Sequence, residues 1–396
     1  MKHLPTIVGA AALAGVTALS GCASDDQKAA GSDSAAVKVA VVYSKTGLLA
    51  AYGQEYLQGF QAGLDYATKG TNKAGGRDIQ VTYADDAGDP AKAVTAAKQY
   101  IGQGYKILAG TTDSGVANQL APLAEQNKVL YIDGPAATDA ITGANRYTFR
   151  SGRQSYQDVA TAGSFLGDPA GKKVLVFAQD TTFGQGNAAA VKAVLGGKGA
   201  QVSQLLVPAA ATDFTPFARQ AAQARPDLVF VAWAGNTTAA MWQALDQQKV
   251  LSSTTVVTGL ANTASYGAYG SASGKINFLS HYFPEATDNP VNTAMKQAIT
   301  KAGGTPDLFS PDGFVAAQMI VHAVEKAGGD DVEKMVSGLE GWTFDAPKGS
   351  QTVRAGDHAM LQPMFQAKLT GSGTSWAPKL VTTVPATTTA PAATGQ

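Results

Sequence analysis

Cysteine is almost absent: Cys22 is the only one in 396 residues, so no disulfide can form within the chain. Long apolar runs are scarce too. Residues 7–19, rich in Ala, Val and Leu, fall well short of the roughly 20 apolar residues that carry a helix across a bilayer, and no other segment approaches that length. Charge is sparse and balanced, with 30 Lys+Arg against 30 Asp+Glu, 15% of residues charged and no long basic run. Without a positive stripe to track phosphates, nucleic acid is not expected as a partner. Histidine is rare, and His281, His322 and His358 stand singly, which reads as surface or satisfied core positions. The usual catalytic signatures are missing: no G-x-S-x-G elbow, no G-x-x-x-x-G-K-[ST] loop and no H-E-x-x-H. Gly184-Gln185-Gly186-Asn187-Ala188-Ala189 has the form G-x-G-x-x-A. It begins well past its strand, and the following strand closes on Leu206-Val207-Pro208 without an acid, so a dinucleotide site is not expected. The reading is of a protein that is not an enzyme and needs no cofactor or metal.

What is present begins at the first residues. Lys2 and His3 precede the apolar run, which closes on Leu19-Ser20-Gly21-Cys22. That order reads as a secretion signal, residues 1–21, ending in a lipobox. Cys22 then becomes the lipid anchor, since acyl chains that each add about 0.8 kcal/mol per buried CH₂ hold a chain on a membrane without any spanning helix. The expected location is the outer face of the cytoplasmic membrane. Residues 22–36, with almost no large apolar side chains, read as a flexible tether. Residues 384–396, made of Thr, Ala, Pro and Gly, read as a disordered tail.

Between these flanks, β-branched apolar runs alternate with stretches of helical periodicity. Residues 37–43 predict a strand, and the spacing of Tyr56, Leu57, Phe60, Leu64 and Ala67 predicts a helix over 54–68. Strands at 79–83, 106–109 and 129–132 and helices at 90–102 and 115–126 continue the series. A second series follows, with strands at 173–178, 202–207, 228–232 and 254–257 and helices at 186–195, 214–224 and 237–247. Helical patterns at 291–302 and 313–327 and a strand-like piece at 364–369 end it. Such alternation predicts an α/β fold of two doubly wound parallel-sheet lobes. Ligands of open α/β sheets settle outside the carboxyl ends of the strands, so two facing sheets make a cleft.

Six stretches in order carry a resemblance. They are Ser44-Lys45-Thr46-Gly47 with Ala51-Tyr52-Gly53-Gln54, Ala74-Gly75-Gly76, Asp85-Asp86-Ala87-Gly88-Asp89-Pro90, Gly110-Thr111-Thr112-Asp113-Ser114-Gly115 and Pro135-Ala136-Ala137-Thr138. Over residues 37–369 the chain resembles the leucine/isoleucine/valine-type solute-binding proteins, with the type I periplasmic binding fold. The resemblance implies a three-crossing hinge, near 151–156, 280–284 and 344–349. Lobe 1 is then 37–153 plus 283–345, and lobe 2 is 154–282 plus 346–370. It implies a small-molecule solute and an ABC permease and ATPase complex as partners. It places Ser114, the amides of Ala136 and Ala137 and the Thr138 hydroxyl on a ligand carboxylate, Tyr52 and Phe183 at the pocket wall, and Trp233, Ala234 and Ala261 in the second lobe's part of the site. By residue type alone, Ser114 also reads as a helix cap, Tyr52, Phe183 and Trp233 as core aromatics, and Asp113 as a turn residue rather than a ligand contact.

The resemblance also implies a glutamate for a ligand ammonium. Here Thr258-Gly259-Leu260-Ala261-Asn262 has no acid. Burying an ammonium without an anionic partner is costly, so the expected solute is a carboxylate lacking an α-amine, an aromatic or other small organic acid; the alternatives are branched-chain or other amino acids for the same import, or a ligand-sensing lipoprotein that signals through a partner.

Overall fold

The structure is a computed structural model that describes residues 36–372 and 375–393. The predicted signal segment, Cys22 and the tether up to residue 35 lie outside the described residues. The first lobe is built on strands β1 (Val37–Tyr43), β2 (Lys73–Ala74), β3 (Arg77–Asp85), β4 (Ile107–Ala109), β5 (Leu130–Asp133) and β6 (Thr148–Arg150), in the order β2-β3-β1-β4-β5-β6. Only the β2–β3 pair is antiparallel. All of β1 except Lys38 is buried, as expected of a parallel strand covered on both faces. The covering helices are α1 (Ala50–Ala67), α2 (Pro90–Gly102) and α3 (Ser114–Asn127). Each of the last two starts where a strand's outgoing loop supplies a cap: Asp89 accepts from the Ala91 N–H at 2.8 Å, with Pro90 in the first turn, and Asp113 accepts from the Val116 N–H at 2.9 Å.

The chain enters the second lobe through residues 151–154 and forms α4 (Ser155–Gly163), β7 (Lys173–Asp180), α5 (Thr182–Val194), β8 (Gln201–Pro208), α6 (Thr215–Ala224), β9 (Leu228–Ala232), α7 (Thr238–Gln247), α8 (Val250–Ser253), β10 (Thr255–Gly259) and β11 (Ile276–Ser280). It then returns to the first lobe with α9 (Pro290–Lys301), α10 (Ser310–Ala327) and α11 (Val332–Leu339). Val315 to Val324 and Met335 to Leu339 supply part of the first lobe's core, while Met295 and Ile299 of α9 pack with Phe314 and Ala62.

Helices α1 and α10 touch through backbone. A Cβ at Gly59 would collide with the Ser310 carbonyl oxygen, one at Gly63 with backbone of Phe314, and one at Gly313 with the Tyr56 carbonyl oxygen. Neither partner can yield without parting the helices. Gly59→Ala is therefore expected to destabilise the protein by about 3 kcal/mol, the upper part of the overpacking range. Urea unfolding checks this, and an unchanged midpoint contradicts the packing.

The third crossing differs from expectation. Residues 344–349 do not cross: β12 (Thr343–Ala346) and β13 (Gly349–Val353) form an antiparallel hairpin, joined by β14 (Met360–Leu361). Phe344, Ala346, Val353 and Met360 all belong to the first lobe's core. The Gly349 segment, with φ +110°, is a local reversal that reads in sequence like an inter-lobe connection. The chain crosses at 362–363, and residues 346–361 belong to the first lobe.

The second lobe is completed by β15 (Met364–Ser372) and β16 (Ser375–Val384), giving the sheet order β16-β15-β11-β10-β9-β7-β8, parallel from β11 to β8 and antiparallel beyond. The segment from 384 onward is not a loose tail up to residue 393. The short helix α12 (Ala386–Thr389) packs against α4 and β14, Thr389 is buried, and Arg354 Nη1 donates to the Pro391 carbonyl at 2.7 Å. Low-complexity composition concealed this because the holding contacts come from elsewhere in the chain.

Candidate functional site

The carboxyl ends of both sheets face a single cleft holding about 1030 Å³ of empty space, its open mouth included. From the first lobe, the N-terminus of α3 presents Thr112, Asp113 and Ser114; from the second, the N-terminus of α5 presents Thr181, Thr182 and Phe183. The two helix ends come close, since a Cβ on Gly115 would lie 3.3 Å from Thr182 Oγ1. Helix N-termini carry unpaired N–H groups and the positive end of the helix dipole, so both ends favour an anion.

Tyr52, Ser114, Ala137, Phe183, Trp233, Ala234 and Ala261, expected from sequence at the site, all line the cleft, as does Asp113. The structure sorts their polar groups. The Ser114 and Ala137 N–H groups have no hydrogen-bond partner among the described residues. The Ala234 N–H is taken by Gln179 Oε1 at 3.0 Å and that of Ala261 by the Tyr269 hydroxyl at 3.0 Å, so these two contribute surface rather than donors. Asp113 is spent on capping α3, and burial raises its pKa.

Ala136 and Thr138 do not line the cleft. The Ala136 N–H donates to the Thr111 carbonyl at 3.1 Å and holds the turn on the neighbouring loop. Thr138 Oγ1 accepts from the Ala140 N–H at 3.3 Å, and its carbonyl receives Arg150 Nη2 at 2.6 Å. A turn that leaves a strand needs its own backbone groups satisfied. Of the 135–138 segment, only Ala137 and Pro135 are left facing the cleft.

The walls are apolar. Tyr52 meets Phe309 edge to face, with centroids 4.8 Å apart, and Trp233 stacks on Phe177 and meets Phe214 edge-on. Trp233 Nε1 donates to Thr237 Oγ1 at 3.0 Å, which fixes the indole. Burial raises the Tyr52 pKa and keeps its hydroxyl protonated.

Sequence reasoning missed the charged floor. Arg153 and Asp158 both line the cleft, paired Nε to Oδ2 at 3.3 Å, and both side chains are more than nine-tenths buried. Arg153 Nη1 donates to the Pro135 carbonyl at 2.6 Å, and its guanidinium lies 5.6 Å from the Phe309 ring centroid. Burial pushes the Asp158 carboxyl up to about 6, against the pull of Arg153. His281 lies beside them, and behind it Asp312 and Lys348 form a fully buried pair at 3.1 Å. The only sequence signal for Arg153 was its place in the segment assigned to the first crossing.

The lobes also grip each other beside the cleft. Asn262 Nδ2 donates to Glu55 Oε1 at 2.8 Å, and the Thr263 N–H reaches the Asp307 carboxylate at 2.9 Å. Burial, and then the neighbouring Asp307, push the Glu55 carboxyl up to about 8.

The sequence profile of the periplasmic binding protein family matches residues 36–374. The chain belongs to the periplasmic binding protein family. A Leu/Ile/Val-binding protein homolog 3 of Brucella melitensis is 29% identical over 308 residues, covering 74% of this chain and 80% of that one. An ABC-type branched-chain amino acid transporter structure from Rhodopseudomonas palustris CGA009 is 33% identical, with a TM-score of 0.73, covering 89% of this chain and 97% of the other. A solute-binding protein of R. palustris in complex with 4-hydroxybenzoate shares the fold at a TM-score of 0.80 and 23% identity, covering 88% and 97%. This periplasmic binding protein is the extracytoplasmic solute-binding component of an ABC transporter and is not an enzyme; its partners are a small-molecule solute and a permease and ATPase complex. Among the described residues no helix is long and apolar enough to cross a membrane.

Proposed function

We propose that the cleft captures a small organic acid without an α-amine, with aryl carboxylates fitting best, and delivers it to an ABC importer. The observation that carries this reading is the donor set: the free Ser114 N–H at the positive end of α3 and the free Ala137 N–H in the turn after β5, with the Arg153 guanidinium at the floor. Hydrogen bonds from such donors to a carboxylate are charge-assisted and short. Aromatic and aliphatic side chains (Tyr52, Phe183, Trp233, Leu260, Phe309) supply the apolar body of the site. For an ammonium the provision is poor, because Asp113 is committed to its helix and Asp158 to Arg153. Related structures have been solved both with 4-hydroxybenzoate and as branched-chain amino acid transporters, and the choice between those classes rests here on the donors of this chain.

Thermal-shift screening tests it. Ligand at 100 times its dissociation constant adds about 2.7 kcal/mol to the folded state, so aryl carboxylates are expected to raise the melting temperature while leucine, isoleucine and valine do not. The reverse pattern would overturn the organic-acid reading and leave the transport role intact.

The reading includes attachment to the membrane through an acylated Cys22. Mass spectrometry of protein extracted from membranes is expected to find a diacylglyceryl thioether, lost in Cys22→Ala. An unmodified thiol on the mature protein contradicts the anchor.

A further inference from the structure

We propose that Gln179 and the first turn of α5 form the second lobe's polar anchor, which selects a solute carrying an uncharged carbonyl oxygen in addition to its carboxylate. The inference rests on the organic-acid reading and narrows it.

Gln179 lines the cleft from the carboxyl end of β7, two residues before the α5 cap Thr181. One end of its amide is already committed. A backbone N–H can only donate, so the amide atom 3.0 Å from the Ala234 nitrogen is Oε1. Nε2 is thereby the opposite end, and it has no hydrogen-bond partner among the described residues. Gln179 is only 4% exposed, yet Nε2 is not among the unpaired polar atoms sealed from solvent. The surface it keeps is what Gln179 gives to the cleft. Polar groups at nine-tenths burial are nearly always paired, so a donor fixed in direction at a cavity wall is placed to meet an acceptor on the solute.

Two more donors stand beside it. Thr181 Oγ1 takes the Gly184 N–H at 3.2 Å, but the Thr182 and Phe183 N–H groups of the same turn have no partner among the described residues, and both residues line the cleft. The neighbouring charges decide what kind of acceptor fits. Asp113 Oδ1 and Thr182 Oγ1 lie 3.0 Å and 3.3 Å from one point, the place a Cβ on Gly115 would occupy. An anion at the first turn of α5 would therefore stand close to the Asp113 carboxylate. Arg153, the one Lys or Arg among the described residues lining the cleft, is paired with Asp158. A second carboxylate is thus disfavoured. A hydroxyl would have to turn its own hydrogen away from three donors, and an alkyl edge would leave all three unpaired. A carbonyl oxygen has two lone pairs, no hydrogen and no net charge. With the carboxylate on the Ser114 and Ala137 N–H groups of the first lobe, such a solute bridges the lobes by its two oxygen groups.

The test is calorimetric titration with 3- and 4-acetylbenzoate, each against the ethylbenzoate of the same substitution, which has nearly the same shape without the carbonyl oxygen. Sites built to hydrogen-bond a polar group discriminate strongly against analogues lacking it, so at least one acetylbenzoate is expected to bind about tenfold or more tightly than its ethyl counterpart. Gln179→Glu keeps an oxygen for the Ala234 N–H but puts an acceptor where the donor stood, so the preference is expected to vanish or reverse. Gln179→Met, which adds no charge, is expected to reduce it several-fold. A Gln179 that served only to hold the Ala234 loop would leave the preference intact in Gln179→Glu. If neither acetylbenzoate binds more tightly than its ethyl counterpart, or if the preference persists in either variant that folds, the anchor is refuted while the carboxylate reading stands. If no aryl carboxylate binds at all, that reading fails and this inference falls with it.

Discussion

Replacing Arg153 by methionine is expected to weaken solute binding by about a hundredfold or more. Methionine keeps much of the apolar stem against Phe309 but removes the guanidinium that faces the cleft. Truncating one partner of a buried, hydrogen-bonded charge pair costs about 2–5 kcal/mol, and each 1.4 kcal/mol is a factor of ten. The variant also strands Asp158, whose carboxyl already sits near 6 with Arg153 beside it. Losing that partner raises it further. A carboxyl whose pKa is higher folded than unfolded gives stability that is complete below the unfolded value and falls away as pH rises through the folded one. The variant should therefore be close to wild-type stability near pH 4 and lose ground progressively through neutrality. Arg153→Met combined with Asp158→Asn removes the stranded charge, so its stability recovers while binding stays weak. Recovery of binding in the double variant would show that Arg153 acts only by neutralising Asp158.

The second large effect is on pH dependence. Glu55 and Asp307 lie on the first lobe, and Asn262 and Thr263 of the second lobe close over them. The other ionisable groups interacting with this pair are Tyr52, Tyr266 and Glu285. In the closed state burial and Asp307 lift Glu55 to about 8, whereas opening exposes it to solvent and returns it toward the ordinary value of about 4.3. Closing thus takes up a proton between those two values, and closure is favoured fully at the acid end and lost as pH rises through 8. Linkage limits the effect of one proton to a factor of ten per pH unit, so affinity is expected to fall about tenfold or more between pH 6 and 8. Glu55→Gln carries no charge at any pH. It should lose about 1 kcal/mol from an imperfect match to the Phe309 N–H, and its affinity should be flat across that range. Titrations at pH 6, 7 and 8 decide the matter: a wild-type affinity that does not change refutes the proton-linked closure.

The fold was legible wherever local pattern decides. The run at 37–43 and the Pro90 helix start were read to the residue because β-branched runs, Pro at a first turn and Asp caps act on their own neighbours. Two features were not, and both depend on distant partners. The 344–349 reversal looks like a connection until its apolar residues are seen to enter the first lobe's core. The segment after 384 looks structureless until α4, β14 and Arg354 are there to hold it.

The site divides along the same line. Ser114, Tyr52, Phe183 and Trp233 were assigned to the site by the resemblance, and all four lie near strand ends and line the cleft. Arg153, Asp158 and His281 could not be placed there, since nothing in their own neighbourhoods shows that two crossings bring them to one floor. Thr138 and Ala136 err in the opposite direction: their residue types suit a carboxylate, but the turn they form consumes their hydrogen-bonding groups.

The central claim is that a carboxylate without an α-amine is held between the lobes. Its most direct test is isothermal titration calorimetry at pH 7 on protein freed of endogenous solute by unfolding and refolding, with hydroxybenzoates in one series and leucine in the other. The account expects saturable one-to-one binding of an aryl carboxylate, with the negative heat-capacity change that marks apolar burial, and no saturable heat from leucine. Saturable binding of leucine with none of any carboxylate lacking an amine would contradict it.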